Sequence, residues 1–233
     1  MAIHSDPIVN HIRFVQEFKD LVSTEFSEEV NAVCWSRNLK GDFSEIANQV
    51  DFKENMIELS EDQLRTLHLS ADGSYARDIL LSDLRLLRQI GASPVLNLIK
   101  CYERDDRFQT LATDVYSFHV DRSDLPTDTY LCTYFGETTE ILSNSQAIQK
   151  ILIPEIRSEL MKMYSGRDED FERFLNDYSF DLHYQPLPLA SPMSLGLGNL
   201  WKLAVDYPGS RVLPCLHRAP REKVNEKRLL LIC

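Results

Sequence analysis

Two histidines and an aspartate carry the clearest chemical possibility in this sequence. His119 and Asp121 stand two apart in YSFHVDRSD, residues 116–124. Alternate residues of a β-strand point to one face, so an imidazole and a carboxylate at this spacing can reach a common ion. The spacing alone decides nothing, because a chain of this composition yields such a pair by chance about 0.5 times. A third ligand must come from elsewhere, and His217 in CLHRAP supplies one. Two imidazoles and one carboxylate cover one face of an octahedral ion such as Fe(II), leaving three positions for exogenous ligands. The same set can hold Zn(II).

Arg228 adds a charge to this set. A hairpin centred between Glu222 and Lys223 would place it opposite His217, with Leu213, Cys215, Leu230 and Ile232 sharing the face. These are apolar residues, so the face is expected to turn inward. A buried guanidinium keeps its charge and is costly unless it meets an anion. No inward position on the two strands is acidic. An incoming carboxylate, held by paired charge-assisted hydrogen bonds, is therefore the expected partner. A slip of one residue in this register would turn one strand's side chains outward.

The elements that must position these residues are short strands. VLNLIKCY (95–102), TYLCTYF (129–135), GNLWKLAV (198–205), VLPCLH (212–217) and RLLLIC (228–233) are apolar runs bounded by Pro, Gly or charged residues. The first third of the chain predicts helices instead. Asp6–Pro7 is a helix start, followed by an apolar stripe through Ile8, Ile12, Val15, Phe18 and Val22. A short extended run covers Val30 to Trp35. Ser60 with Gln63 forms a capping box, and Leu80, Leu84 and Leu87 make a further stripe between Tyr75 and Ile90, stopped by Gly91 and Pro94. A helical insertion at about 145–176 interrupts the strands, with Pro154 kinking it or opening a second helix. The expected fold is mainly β with flanking helices (α+β), a single domain over 1–233: a helical flank at 1–94 and a β core at 95–233.

Composition narrows the partners. The formal charge is −11, from 36 acidic and 25 basic residues, and no basic run is long enough to track a phosphate backbone, so nucleic acid is not an expected partner. The opening MAIHSDPIVNHIRF lacks the pattern of a secretory leader and no stretch approaches a membrane span, which sets the expectation of a cytoplasmic protein with no membrane partner. Five cysteines, odd in number and widely spaced, suggest reduced core thiols rather than a disulfide framework or a zinc ribbon.

Other residues carry weaker signals. Tyr116, Tyr134 and Trp201 are candidates to line a substrate pocket, although aromatic residues on strands more often pack. His183, beside a proline-rich loop, reads as structural, with a substrate contact or a spare ligand as the alternative. His4, His11 and His68 fall in helical stretches without partner spacing. GLGN at 196–199 lacks the third glycine of a dinucleotide loop and reads as a turn entering a strand. Arg218 and Arg221 either meet an acidic substrate or are solvated.

Taken in order, His119-x-Asp121, the strand LCTYF, the glycine-led strand GNLWKL, HRAP and Arg228 resemble the Fe(II)/2-oxoglutarate-dependent oxygenase superfamily. Within it the sequence is similar to a bacterial family of uncharacterised proteins bearing FHVD, a TY-x-G segment and HR-x-P followed by RLLL, and the similarity extends to VCWSR (33–37). The resemblance implies a double-stranded β-helix core of the jelly-roll or cupin type. It also implies Fe(II) on His119, Asp121 and His217, 2-oxoglutarate as cosubstrate with its far carboxylate on Arg228, and O2 as oxidant. The activity implied is hydroxylation of a small molecule, such as an amino acid or a derivative of one, with decarboxylation of 2-oxoglutarate to succinate. The alternative is a non-catalytic metal-binding β-helix protein of zinc or iron homeostasis. Two departures stand out: Gly136 is followed by Glu-Thr-Thr-Glu where that family continues Pro-Gly, and the segment after His217 lacks the glycine frequent in the wider superfamily.

Overall fold

The computed structural model of the chain describes residues 10–27, 29–105, 111–221, 223 and 226–233. Among these, the strands β1 (Ile12–Val15), β2 (Ala32–Trp35), β3 (Met56–Glu58), β4 (Val95–Ile99), β6 (Asp128–Phe135), β11 (Leu200–Ala204) and β13 (Arg228–Ile232) form a seven-stranded sheet in the order β1-β2-β11-β6-β13-β4-β3. Its pairings are antiparallel except for β1 with β2. A second, six-stranded antiparallel sheet contains β5 (Phe118–His119), β7 (Glu140–Leu142), β8 (Ala147–Gln149), β9 (His183–Pro186), β10 (Met193–Ser194) and β12 (Leu216–Arg218), ordered β10-β7-β12-β5-β9-β8. Helices contribute more residues than strands, so the fold is mixed α/β rather than mainly β.

The strand pattern explains the layering. Along β6, Tyr130, Cys132 and Tyr134 alternate with Thr129, Leu131 and Thr133, and the two sets face opposite ways. The first set joins a core with Leu229 and Leu231 of β13 under four helices: α1 (Phe18–Ser23), α2 (Phe43–Gln49), α3 (Glu61–Thr66) and α4 (Ala71–Gln89). On the other face Leu131 joins Ile99, Trp201, Leu203 and Leu230, which meet Ile141 of the smaller sheet and Cys215 just before β12. Helix α3 begins at the capping box of Ser60 and Gln63. Helix α4 is followed by Gly91 at φ +86, a backbone conformation that suits a residue without Cβ.

A buried ion pair ties the helical layer to the large sheet. Arg37, just past the β2 strand of VCWSR, donates from Nη1 to both oxygens of Asp83 at 2.7 and 2.8 Å, and the Tyr134 hydroxyl donates to the same carboxylate at 2.6 Å. Both charged side chains are almost wholly enclosed. Each group has its partners, the condition under which a buried pair is tolerated.

Three sequence expectations are corrected here. Ile12 and Val15 belong to a strand rather than a helical stripe, because Ile12–Val15 pairs in register with Ala32–Trp35; the expected helix start at Asp6–Pro7, Ile8 and His4 lie outside the described residues. His11 is in the turn before that strand, and His68 links α3 to α4. Strands β12 and β13 do not form a hairpin. They belong to different sheets, with His217 opposite His119 and Ile141, and Arg228 opposite Ile99. Leu213 is accordingly exposed outside any strand, while Arg228, Leu230 and Ile232 do share the face turned to the smaller sheet. The insertion is not continuous helix either: β8 precedes α5 (Pro154–Met163), which Pro154 opens at its first turn, and α6 (Phe171–Asp177) follows. No helix among the described residues is long and apolar enough to cross a membrane.

Candidate metal centre

Strands β5 and β12 are neighbours in the smaller sheet, and their register sets His119 directly opposite His217. The two rings lie 4.5 Å apart, centroid to centroid. Each is oriented through Nδ1: His119 toward the Ser117 carbonyl at 2.8 Å and His217 toward the Cys215 carbonyl at 3.2 Å. With Nδ1–H donating to a carbonyl, Nε2 keeps the lone pair that a metal needs. Asp121 follows His119 by two residues, as the strand period requires. Its backbone carbonyl accepts from the Asp206 amide at 2.8 Å, and the next residue, Arg122, pairs with both Asp181 and Asp206.

Asp121 Oδ2 accepts a hydrogen bond from Thr129 Oγ1 at 2.6 Å, and Oδ1 stands 3.6 Å from His217 Nε2. The second separation is too long for a hydrogen bond. It resembles the gap between two ligands that each stand about 2.0–2.2 Å from a shared ion. One ligand atom from each of His119, Asp121 and His217 falls within 4.8 Å of the other two, and this is the one such group among the described residues. The donor set and its spacing fit a divalent cation.

The charges are arranged to suit one. Burial, helped by the neighbouring His217, pushes His119 down to about 4. Burial alone would raise the Asp121 carboxyl, but His217, the Thr129 hydroxyl and His119 outweigh it and hold the group below its ordinary value. At neutral pH the site therefore offers a neutral imidazole at His119 and an ionised carboxylate at Asp121, the protonation states that coordinate metals.

A cavity of about 750 Å³ opens onto His119 and Asp121, bounded by Thr113, Asp114, Ser123, Asp124, Asn176 and Ser179. His183 is also in its wall. It sits opposite His119 on β9, with ring centroids 5.8 Å apart, so His217, His119 and His183 form a row across three adjacent strands. Burial, with His119 and Lys150 nearby, pushes His183 down to about 3. Reading His183 as merely structural misses this placement; its position opposite His119 is set by a pairing between segments far apart in the chain. Thr129 is likewise missed, although the face it shares with Leu131 and Thr133 marks it as an inward-facing hydroxyl.

Arg228 is fully buried. Its Nη1 donates to the Tyr102 hydroxyl at 3.1 Å, and its Nη2 to Thr133 Oγ1 at 3.1 Å and Thr139 Oγ1 at 2.6 Å. A guanidinium ringed by hydroxyls is a donor set that suits a carboxylate. Arg228 borders a separate small space of about 10 Å³ beside Glu137 and Pro220, not the cavity that reaches His119. Gly136 fixes this corner: it has φ +86, and a Cβ on it would stand 2.5 Å from the Lys227 carbonyl oxygen and 3.0 Å from Arg228 Cα.

The aromatic candidates separate. Tyr134 is corrected, since it lies on the helix-covered face of β6 and its hydroxyl is engaged by Asp83. Trp201 is corrected also: it is buried between the sheets with its indole N–H on the Leu195 carbonyl at 2.9 Å, as core packing requires. Tyr116 lines a different cavity, of about 470 Å³, with Glu137, Glu140, Arg218 and Arg221. There Arg218 pairs with Glu140 at 2.6 Å and lies over the Phe118 ring, while Arg221 is exposed.

Residues 17–163 match a family described as protein of unknown function, DUF1826, and the chain belongs to that family. No curated protein and no solved structure matches it.

Proposed function

We propose that this member of the DUF1826 family is a non-haem Fe(II)/2-oxoglutarate-dependent dioxygenase that hydroxylates a small molecule, an amino acid or a derivative of one, on a core of double-stranded β-helix type. The observation that carries the reading is the convergence of His119, Asp121 and His217 at one point, with a cavity opening on it. His119, Asp121 and His217 would hold Fe(II), and Arg228 would hold the far carboxylate of 2-oxoglutarate. Iron and cosubstrate supply the oxidation of a C–H bond by O2, with 2-oxoglutarate converted to succinate and carbon dioxide.

The chain's own contribution is placement. The carbonyls of Ser117 and Cys215 fix the two imidazoles, and the Thr129 hydroxyl holds one carboxylate oxygen so that the other is left to coordinate. The hydroxyls of Tyr102, Thr133 and Thr139 orient the Arg228 guanidinium on the face turned to the smaller sheet. Adding 2-oxoglutarate to anaerobic Fe(II)-loaded protein should produce a visible metal-to-ligand charge-transfer band, and air should then yield succinate. A folded, iron-loaded protein that gives neither is not an oxygenase of this kind.

A second reading, a non-catalytic metal-binding protein of zinc or iron homeostasis, draws on one observation: Arg228 borders a different space from the metal cavity. Under it, Arg228→Ala leaves metal affinity unchanged and there is no 2-oxoglutarate turnover to lose.

A further inference from the structure

Strand β5, which carries His119, is two residues long, and its register meets β12 at His119 alone and β9 at Phe118 and His119. So short a ladder does little to fix a side chain. The anchor for the His119 ring lies just before the strand, in the Ser117 carbonyl that receives Nδ1 at 2.8 Å. Ser117 belongs to a turn, with its amide on the Asp114 carbonyl at 3.1 Å and the Tyr116 amide on Asp114 Oδ1 at 3.1 Å. Cys215, whose carbonyl anchors His217, is supported differently: it is buried, and its amide donates to Ala204 of the large sheet at 2.9 Å.

Ser117 has a second tether. Lys150 Nζ donates to Ser117 Oγ at 2.7 Å. Lys150 opens the 3-10 turn Lys150–Leu152 directly after β8, so this contact reaches across β9 and joins the neighbourhoods of two strands that share no ladder. Burial pushes the ammonium below its ordinary value, and the Asp114 carboxylate opposes that shift. A lysine drawn partly out of water costs stability unless its position is useful. The hydrogen bond it makes goes to the residue whose carbonyl orients a metal ligand.

We infer that Lys150 is a positioning residue of the metal centre, acting on His119 through Ser117. Partners on the second ring nitrogen set the aim of a ligating imidazole, and Lys150 steadies the residue that provides this one. The inference rests on the metal site formed by His119, Asp121 and His217 and not on oxygenase chemistry.

Co(II) serves as the probe. Lys150→Met, which keeps the stem and removes the ammonium, and Ser117→Ala, which removes the hydroxyl and keeps the carbonyl, should each weaken Co(II) binding about tenfold, the lower end of what outer partners of metal ligands supply. Because both break one link, the double variant should be no weaker than either single one. Lys150→Arg, which returns a donor, should recover part of the loss. Proton NMR of the Co(II) form reads the cause: the Nδ1–H of each ligating histidine gives a strongly shifted, exchangeable signal, and in either single variant one signal should move or exchange faster while the other stays in place. Wild-type affinity in both single variants overturns the inference, as does a double variant about a hundredfold weaker, since independent effects multiply. Should Lys150→Met fail to fold, Ser117→Ala carries the test, and unchanged affinity with an unchanged pair of signals in that variant overturns the inference as well. Wild-type protein that takes up no Co(II) removes the metal centre itself, whereas Co(II) binding that follows these expectations without 2-oxoglutarate turnover by the Fe(II) form removes the oxygenase alone.

Discussion

His119 and His217 face each other across two adjacent strands, with rings 4.5 Å apart, and the Asp121 carboxylate completes the group while hydrogen-bonded to Thr129 on the opposite sheet. The candidate metal site thus draws on both layers of the protein. Thr129 would reach a bound ion only through Asp121, and outer partners of this kind change metal affinity by about 10–100-fold. Thr129→Val should weaken Co(II) binding within that range, and His217→Ala should weaken it further, both measured by titration on folded protein. Equal affinity in wild type and Thr129→Val would show that the hydroxyl does not position the carboxylate.

The strands at the centre of the large sheet were largely legible in the sequence, because 95–99, 128–135, 200–204 and 228–232 are apolar runs closed by turn residues, whereas β5 and β12, which carry His119 and His217, are only two and three residues long and the expected strand 212–217 begins at Leu216. The His119-x-Asp121 spacing was legible for the same reason, being a property of one extended segment. The partnership of strands was not. Strands β12 and β13 fall in different sheets, whereas their closeness along the chain suggested a hairpin. Alternation placed Arg228 correctly with Leu230 and Ile232, since that depends on one strand only. It could not say which face of β6 meets the helices, so Tyr134 stood as a pocket candidate although it packs under them. Ile12 and Val15 illustrate another limit: in a short segment, apolar residues three apart suit a helical stripe as well as a strand.

Metal-free protein should lose stability on mild acidification. His119 and His183 titrate below the ordinary 6.5 when folded, at about 4 and about 3, because burial disfavours their charged forms. The unfolded chain therefore takes up protons first as pH falls. The stabilisation is complete above about 6.5 and is lost progressively as pH drops toward the folded values. Urea midpoints at pH 7.5, 6 and 5 should decrease in that order, and a midpoint that rises on acidification contradicts the assignment.

Asp83→Ala would leave Arg37 charged, buried and without its carboxylate. Breaking one partner of an enclosed pair costs about 3–5 kcal/mol, and Tyr134 loses its acceptor as well. Chemical denaturation should register that loss, while metal affinity of the folded fraction stays at the wild-type level because the pair lies on the helix-covered face of the large sheet.

Gly136→Ala is predicted to destabilise the protein by about 1–2 kcal/mol from backbone conformation alone, and by more because the new Cβ would collide with the Lys227 carbonyl. Since the displaced backbone adjoins Arg228, the proposed oxygenase activity predicts that 2-oxoglutarate turnover falls more steeply than iron binding. A variant with wild-type thermal stability would show that this corner is more yielding than its packing suggests.

Through the Thr129–Asp121 hydrogen bond, an ion held by His119, Asp121 and His217 would act as a rivet between layers. Loading the site should slow amide hydrogen exchange in β6 of the one sheet and in β5 and β12 of the other together, although no backbone ladder pairs β6 with either. Any movement that parts the layers, whether thermal or driven by a bound molecule, would in the same stroke loosen the grip on the ion.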